Sequence, residues 1–189
     1  RPIQLLYVTA GHGHKTAARA LREALDERDR ANMVLDILSF SNKLFNWTFS
    51  NAYDFFSEHG HLALKGIYKL TDQKGDSSNF VQLLNFFSTR NVEGFEHYIN
   101  DNRDCTIACT HFFPAQVLSR LKAENVFRGT IHAVVTDFGL HKMWLNEGID
   151  MYYVASDSVR ESLLDNGVPG EKIRQTGIPI SGKFAQPVD

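Results

Sequence analysis

The chain has 189 residues, which is enough for one well-packed domain and marginal for two. A hydrophobic content of 43% and a charged content of 22% are typical of a globular protein and argue against a disordered one. The formal net charge of −2 lacks the basic excess of a nucleic-acid-binding protein, so we expect no nucleic acid partner.

Two features bear on the compartment in which the protein works. No apolar run approaches the roughly 18–20 residues that a membrane-spanning helix needs. Cys105 and Cys109 lie on a predicted strand, where four residues span roughly 13 Å, and bridged Cα atoms lie within roughly 7 Å of each other. We therefore predict two free, buried thiols, which suit a reducing cytoplasm.

The first elements in chain order predict a unit of parallel sheet. Residues 3–8 form a β-rich run that stops at Ala10 and Gly11. From about Lys15, alanine and leucine recur at the three- and four-residue spacing of a helix, and residues 33–38 form a second strand. Strand, helix and strand in this order are typical of the βαβ unit.

The middle of the chain, residues 40–102, predicts a helical insertion that is rich in aromatic side chains. Aromatic rings beside lysines favour an interfacial surface for anionic lipid. The alternative is that these rings pack a core of the insertion's own. The aromatic residues are Phe40, Phe45, Trp47, Phe49, Tyr53, Phe55, Phe56, Phe80, Phe86 and Phe87, and the lysines are Lys43, Lys65, Lys69 and Lys74.

Regular alternation of strand and helix resumes after the insertion. It predicts an α/β fold, a Rossmann-like doubly wound parallel sheet, in a single domain that spans residues 1–189. Ser156 is the predicted cap of the last helix, and Gly167 is placed to end that helix. The predicted elements are strands 106–109, 130–135, 151–154 and 172–176 and helices 114–123 and 156–166.

The run Gly-His-Gly-His-Lys-Thr at residues 11–16 lies between the first strand and the first helix, at the edge of the sheet where ligands bind. A dinucleotide fingerprint would need glycine at Thr16, and a phosphate-binding P-loop would need glycine at His14. Both motifs therefore fit poorly. A neutral imidazole at this turn is suited to take a proton from an attacking hydroxyl, so His14 is a candidate general base; the alternative is that it only caps or lines the turn.

A metal site is the other use of histidines at this turn. His12 and His14 would need a third ligand, and only the fold could bring His111, His141 or Asp137 to them. We predict no metal.

Four segments resemble the monogalactosyldiacylglycerol synthase family, which includes bacterial processive diacylglycerol glucosyltransferases. Residues 8–21 resemble its opening strand, turn and alanine-rich helix, although His12 stands where the family typically has glycine. Residues 135–144 resemble its Thr-Asp and His-x-x-Trp segment. The closing elements are similar as well, at residues 148–156, 167–173 and 177–180.

This resemblance implies the N-terminal half of a GT-B glycosyltransferase. In that family the N-terminal domain takes the lipid acceptor and touches the membrane, and a C-terminal domain, absent from this chain, binds the UDP-sugar. The implied reaction is inverting transfer of a hexose to diacylglycerol at the cytoplasmic side of the cell membrane. The UDP-sugar is the donor substrate and no cofactor is needed, and we expect this chain alone to be inactive.

The resemblance also implies roles for individual residues. His14 is the general base, and Asp137 orients an imidazole or holds the acceptor, with capping of the following turn as the alternative. Further residues would bind the acceptor, although Trp144 is equally consistent with a core position. The acceptor-binding residues are Gly11, His12, Gly13, His141 and Trp144.

Two other functions remain open. One is a GT-B enzyme with another acceptor, such as a polyprenyl-linked murein precursor. The other is a nucleotide- or lipid-binding module without catalysis. The sequence that follows Asp189 would separate an enzyme from a binding module, because an enzyme needs a downstream UDP-sugar site.

Overall fold

The computed structural model describes residues 2–9, 12–42 and 92–185. Within them, six strands form one sheet in the order β2-β1-β3-β4-β5-β6, and every neighbouring pair is parallel. This confirms the predicted Rossmann-like α/β fold. The strands are β1 (Ile3–Tyr7), β2 (Asn32–Asp36), β3 (Thr106–Cys109), β4 (Thr130–Val134), β5 (Met151–Val154) and β6 (Ile173–Gln175).

Helices pack along the sheet next to the strands that they connect. The first helix packs on β1 and β2, the third on β3 and β4, and the last on β5 and β6. The helices are α1 (Gly13–Asp26), α2 (Glu93–Asp101), α3 (Phe112–Ala123) and α4 (Asp157–Asp165). Because the strands are parallel, they all end at the same edge of the sheet. The loops that lead from the strands into the helices therefore lie together at that edge.

Local chemistry explains the ends of the helices. The Ser156 hydroxyl accepts the Val159 backbone N–H at 3.4 Å and so caps α4, as predicted. Gly167 follows that helix with φ at +84°, a conformation that glycine adopts at little cost. Helix α1 buries Ala17, Ala18 and Ala20, and these small side chains let the helix approach the sheet closely.

Several predicted boundaries were wrong by one to two residues, and the physical cause is visible at three of them. Strand β2 ends at Asp36, because its carboxylate accepts the Leu38 backbone N–H at 3.0 Å and turns the chain into a 3₁₀ helix, Ile37–Phe40. Helix α3 begins before the predicted Pro114, because the His111 side chain caps it. Strand β6 is shorter than predicted because Lys172 belongs to a 3₁₀ turn.

Most of the predicted insertion and membrane surface, residues 43–91, lies outside the described residues. Of its aromatic side chains, Phe40 packs against Phe95 and Tyr98, with ring centroids 5.4 Å and 5.3 Å away. In the described part of the chain, no helix is long and apolar enough to cross a membrane. Cys105 and Cys109 are buried thiols that form no disulfide with each other, as predicted.

Candidate functional site

Three loops meet at the carboxyl edge of the sheet, because β1, β3 and β4 are consecutive neighbours. They carry His14 after β1, Thr110 and His111 after β3, and Thr136 and Asp137 after β4. Helix α1 connects β1 to β2 on one side of the β1–β3 pair, and α3 connects β3 to β4 on the opposite side. The loops after β1 and β3 therefore flank the point where the strand order reverses, which is where open α/β sheets bind ligands.

His14 is half-buried in the first turn of α1. Its Nδ1 atom lies 2.9 Å from the Thr110 carbonyl oxygen and 2.8 Å from the Thr136 hydroxyl oxygen. Its Nε2 atom has no hydrogen-bond partner among residues 2–9, 12–42 and 92–185. The imidazole is thus held at one nitrogen, and the other is left without a partner in that part of the chain.

His111 lies beside His14 and is almost completely buried. The two ring centroids are 4.5 Å apart, with the rings nearly perpendicular. Burial, reinforced by the neighbouring His14, holds the pKa of His111 well below its usual range. The Phe113 backbone N–H donates to Nδ1 of His111 at 3.0 Å, which requires an unprotonated nitrogen there. His111 is therefore a neutral ring that packs against the candidate base.

Asp137 is hydrogen-bonded to an indole. The Trp144 Nε1–H donates to its Oδ2 atom at 2.7 Å, and no hydrogen bond joins Asp137 to His14 within the described residues. Trp144 itself is 0% exposed, so its side chain occupies the core and does not line an open surface. Of the two interpretations of Trp144, the structure matches the core position.

His141 is half-buried and lies near Phe112. Its Nδ1 accepts the Met143 backbone N–H at 3.3 Å, which caps the 3₁₀ helix Lys142–Trp144. Phe112 joins the cluster, with centroid distances of 4.2 Å to His111, 6.1 Å to His141 and 6.3 Å to Trp144. His14, His111 and His141 are thus brought to one neighbourhood, in which His111 contacts His14 and Phe112 contacts His111 and His141.

The start of α1 is open to solvent. His12 and Gly13 are exposed, and a Cβ atom placed on Gly13 would meet no other atom within 4 Å. Packing therefore does not demand glycine at this position. Gly11, the third predicted member of the turn, lies outside the described residues.

Two alternative uses of this edge receive no support from the described residues. The carboxylate of Asp36, which stands near the ribose-binding position of a dinucleotide site, is engaged by the backbone N–H and hydroxyl of Thr9 and by the backbone N–H of Leu38. Within residues 2–9, 12–42 and 92–185, no group of three or more His, Cys, Asp or Glu side chains is arranged to hold a metal ion.

Reasoning from the sequence missed the parts that Thr110, Thr136 and His111 play around His14. Thr110 and Thr136 lie 96 and 122 residues further along the chain. A sequence signal existed, since each residue directly follows a predicted strand or lies one residue beyond it. Using that signal requires knowing that β3 lies between β1 and β4.

Comparison with known proteins identifies the family. The sequence model for the family described as monogalactosyldiacylglycerol (MGDG) synthase matches residues 14–180. The chain belongs to the MGDG synthase family. The match confirms the resemblance to this family and covers the Thr-Asp segment.

Curated relatives of this MGDG synthase family chain are processive diacylglycerol beta-glucosyltransferases. One from Bacillus cytotoxicus is 28% identical and one from Bacillus cereus strain B4264 is 26% identical. Each alignment covers 96% of this chain and 46% of the relative. The chain thus spans about half the length of the curated relatives that it matches.

A solved structure supports the fold independently. The apo form of the lipopolysaccharide outer core galactosyltransferase WaaB matches with a TM-score of 0.52 and 9% sequence identity. The match covers 92% of this chain and 44% of that chain. At this identity the likeness concerns the fold alone, and it agrees with the predicted N-terminal half of a GT-B fold.

Proposed function

We propose that this chain is the acceptor-side half of an inverting glycosyltransferase that moves a hexose from a UDP-sugar to the free hydroxyl of diacylglycerol. Membership of the MGDG synthase family supports the reaction class, and the names of the Bacillus relatives support the acceptor. The observation that carries the proposal is the arrangement of His14, which has one nitrogen anchored and lies at the ligand-binding edge of a parallel sheet.

His14 acts in this proposal as the general base. The acceptor hydroxyl is a poor nucleophile until its proton is removed in the transition state, and such help contributes roughly 10²–10⁴ in rate. The oxygen then attacks the anomeric carbon from the face opposite to UDP, which inverts the configuration. A base for this step must present a lone pair towards the acceptor, and the half-buried position of His14 beside exposed Gly13 supports this role.

Other residues of the turn and the cluster have supporting roles. Gly11, His12 and Gly13 form the acceptor-facing turn, and His141 contributes to the wall of the acceptor site. Asp137 acts in this proposal together with Trp144, because the two side chains are joined by a hydrogen bond. Trp144 is buried, so its contribution is to hold Asp137 in place.

The donor site belongs to a second domain that this chain does not include. The family relatives are about twice as long, which leaves room for it. No metal or cofactor takes part in the scheme, because groups of the donor domain would neutralise the diphosphate. The acceptor is a membrane lipid, so the protein works at an anionic membrane surface, on the cytoplasmic side, as a peripheral protein.

The decisive experiment replaces His14 in the protein that carries both domains. We expect His14→Ala to lower kcat at least a hundredfold for transfer from a UDP-hexose to diacylglycerol in mixed micelles. Binding to anionic vesicles that contain diacylglycerol should stay within twofold of the wild type. His97→Ala is the matched control, because His97 is an exposed histidine on α2, and it should leave both readouts unchanged.

Three outcomes would contradict the proposal. Near-normal turnover of His14→Ala would remove the base assignment. Transfer to a polyprenyl-linked acceptor in preference to diacylglycerol would replace the substrate, and hexose transfer by the 189-residue chain alone would remove the division of labour between two domains.

A further inference from the structure

The oxygen atoms around Nδ1 of His14 decide which of its nitrogens carries the proton. The Thr110 carbonyl oxygen, 2.9 Å away, can only accept a hydrogen bond. A neutral imidazole has one N–H and one bare nitrogen, and a bare Nδ1 would face this carbonyl with lone pair against lone pair. The contact is therefore favourable only when the proton is on Nδ1, which leaves the lone pair on Nε2.

Thr136 completes the arrangement with its hydroxyl. The hydroxyl donates to the Thr110 carbonyl oxygen at 3.2 Å, and its own oxygen lies 2.8 Å from Nδ1 of His14. Since its hydrogen is directed to the carbonyl, its lone pairs remain available to the Nδ1–H group. Both oxygens near Nδ1 then act as acceptors, and they select the same tautomer.

Thr110 is held rigidly enough to serve as a reference point. Its backbone N–H donates to the Leu6 carbonyl oxygen at 2.9 Å, and its hydroxyl donates to the His14 carbonyl oxygen at 2.9 Å. The residue is fully buried. Hydrogen bonds thus fix Thr110 to β1 and to the first turn of α1, so its carbonyl group keeps a constant position relative to His14.

We propose that Thr136 is a positioning residue which, with the carbonyl group of Thr110, holds His14 as the Nδ1–H tautomer and makes Nε2 the atom that takes the acceptor proton. The inference rests on the proposed function of His14. In the transfer step the hydroxyl proton goes to Nε2, the acceptor oxygen bonds to the anomeric carbon, and the bond from that carbon to UDP breaks with its electron pair leaving on UDP.

Neighbouring groups do not supply this orientation in its place. The carboxylate of Asp137 accepts from the Trp144 indole. Nδ1 of His111 accepts from the Phe113 backbone N–H, and its ring meets His14 edge to face at 4.5 Å, which is a packing contact. The base is therefore oriented by two uncharged oxygens.

The test combines ring ¹⁵N NMR with kinetics on the protein that carries both domains. In the wild type, above the titration range of histidine, the ring of His14 should carry its proton on Nδ1; His14→Gln identifies its signals. Thr136→Val removes one of the two acceptors, which should lower the ratio of the Nδ1–H to the Nε2–H tautomer about tenfold, the equivalent of one hydrogen bond. We expect kcat to fall with the share of the Nδ1–H tautomer, by at most about tenfold, with KM within twofold.

Two further variants make the result specific. Thr136→Ser keeps the hydroxyl and should restore both the tautomer ratio and kcat to within twofold of the wild type. Thr130→Val is the matched control, because Thr130 is an exposed threonine on β4 whose hydroxyl bonds only to Thr106 in the described structure, and it should change neither readout.

The possible outcomes separate this inference from the proposed function. A wild-type His14 with its proton on Nε2, or a Thr136→Val protein with wild-type tautomer ratio and kcat, would overturn the inference. If Thr136→Val does not fold, the wild-type and Thr136→Ser spectra still decide it. Full activity of His14→Ala would instead remove the proposed base, whatever the tautomer.

Discussion

Replacing His111 with asparagine should remove part of the protein's acid sensitivity. In the folded protein this imidazole is 2% exposed, and burial holds its pKa well below the usual range, so it remains neutral. In the unfolded chain it takes up a proton with a pKa near 6.5. The unfolded state therefore binds more protons, and the free energy of unfolding falls as pH drops below about 6.5.

The size of this effect follows from one proton. Between neutral pH and pH 5.5, His111 should lower the free energy of unfolding by about 1.4 kcal/mol, and by about the same again for the next pH unit while the folded state stays neutral. The loss is absent well above pH 6.5, where both states are neutral. His132, whose pKa is also lowered by burial, adds to the total loss in wild type and variant alike.

Asparagine is the appropriate replacement because it is neutral and caps helices well. It can still accept the Phe113 backbone N–H that His111 accepts, so α3 should keep its start. Loss of the ring's contacts with His14 and Phe112 should lower stability by an amount that does not change with pH. Only the slope of stability against pH distinguishes the titration from the packing.

Urea unfolding between pH 5 and pH 8 measures that slope. We expect the wild type to lose about 1.4 kcal/mol more than His111→Asn between pH 7.5 and pH 5.5. His97→Asn removes an exposed histidine and should keep the wild-type slope. Parallel curves for wild type and His111→Asn would refute the conclusion that His111 is held neutral by the fold.

Two further changes test packing at opposite edges of the sheet, Gly129 before β4 and Trp144 beside Asp137. Gly129→Ala should lower the free energy of unfolding by about 3 kcal/mol in urea titrations, because the new Cβ would lie 1.9 Å from the Cys105 carbonyl oxygen and 2.6 Å from the Phe127 ring. Gly139→Ala is the control, because a Cβ there would meet nothing within 4 Å. Equal losses in the two variants would contradict this reasoning. Trp144→Phe should lower the free energy of unfolding by about 2 kcal/mol, because it removes the hydrogen bond to Asp137. Asp137→Asn keeps an acceptor for the indole N–H, so its loss in the same urea titrations should be smaller. A larger loss for Asp137→Asn would be inconsistent with this hydrogen bond.

The elements of the fold were largely predictable because their signals are local. The strands at 106–109 and 151–154 are short β-rich runs with turn residues nearby, and their predicted bounds agree with the structure. Errors occurred where a side chain redirected the backbone, as at Asp36, whose carboxylate captures a backbone N–H two residues on. An alternating pattern does not reveal such a capture, because apolar residues continue beyond it.

The candidate site was predictable only as far as the turn that carries His14. That turn is local, and its place after the first strand puts it at the ligand edge of any parallel sheet. The order of the strands is not local: β1 pairs with β3 across about a hundred intervening residues. The oxygens of Thr110 and Thr136 reach His14 through that pairing and the next, so the sequence alone could not assign them to this histidine.

The expectation that Asp137 orients an imidazole illustrates why residue type is an incomplete guide to a role. A carboxylate after a strand at the ligand edge is chemically suited to a histidine, but its actual partner is set by the geometry of the following turn. That turn closes through His141 and brings the Trp144 indole within 2.7 Å. The imidazole is then left to a carbonyl and a hydroxyl, which fix the direction of its ring without adding negative charge beside it. At this edge the oxygens of Thr110 and Thr136 orient the ring of His14, whereas the carboxylate belongs to Asp137 and is bonded to Trp144. A variant of Asp137 therefore need not change the orientation of His14.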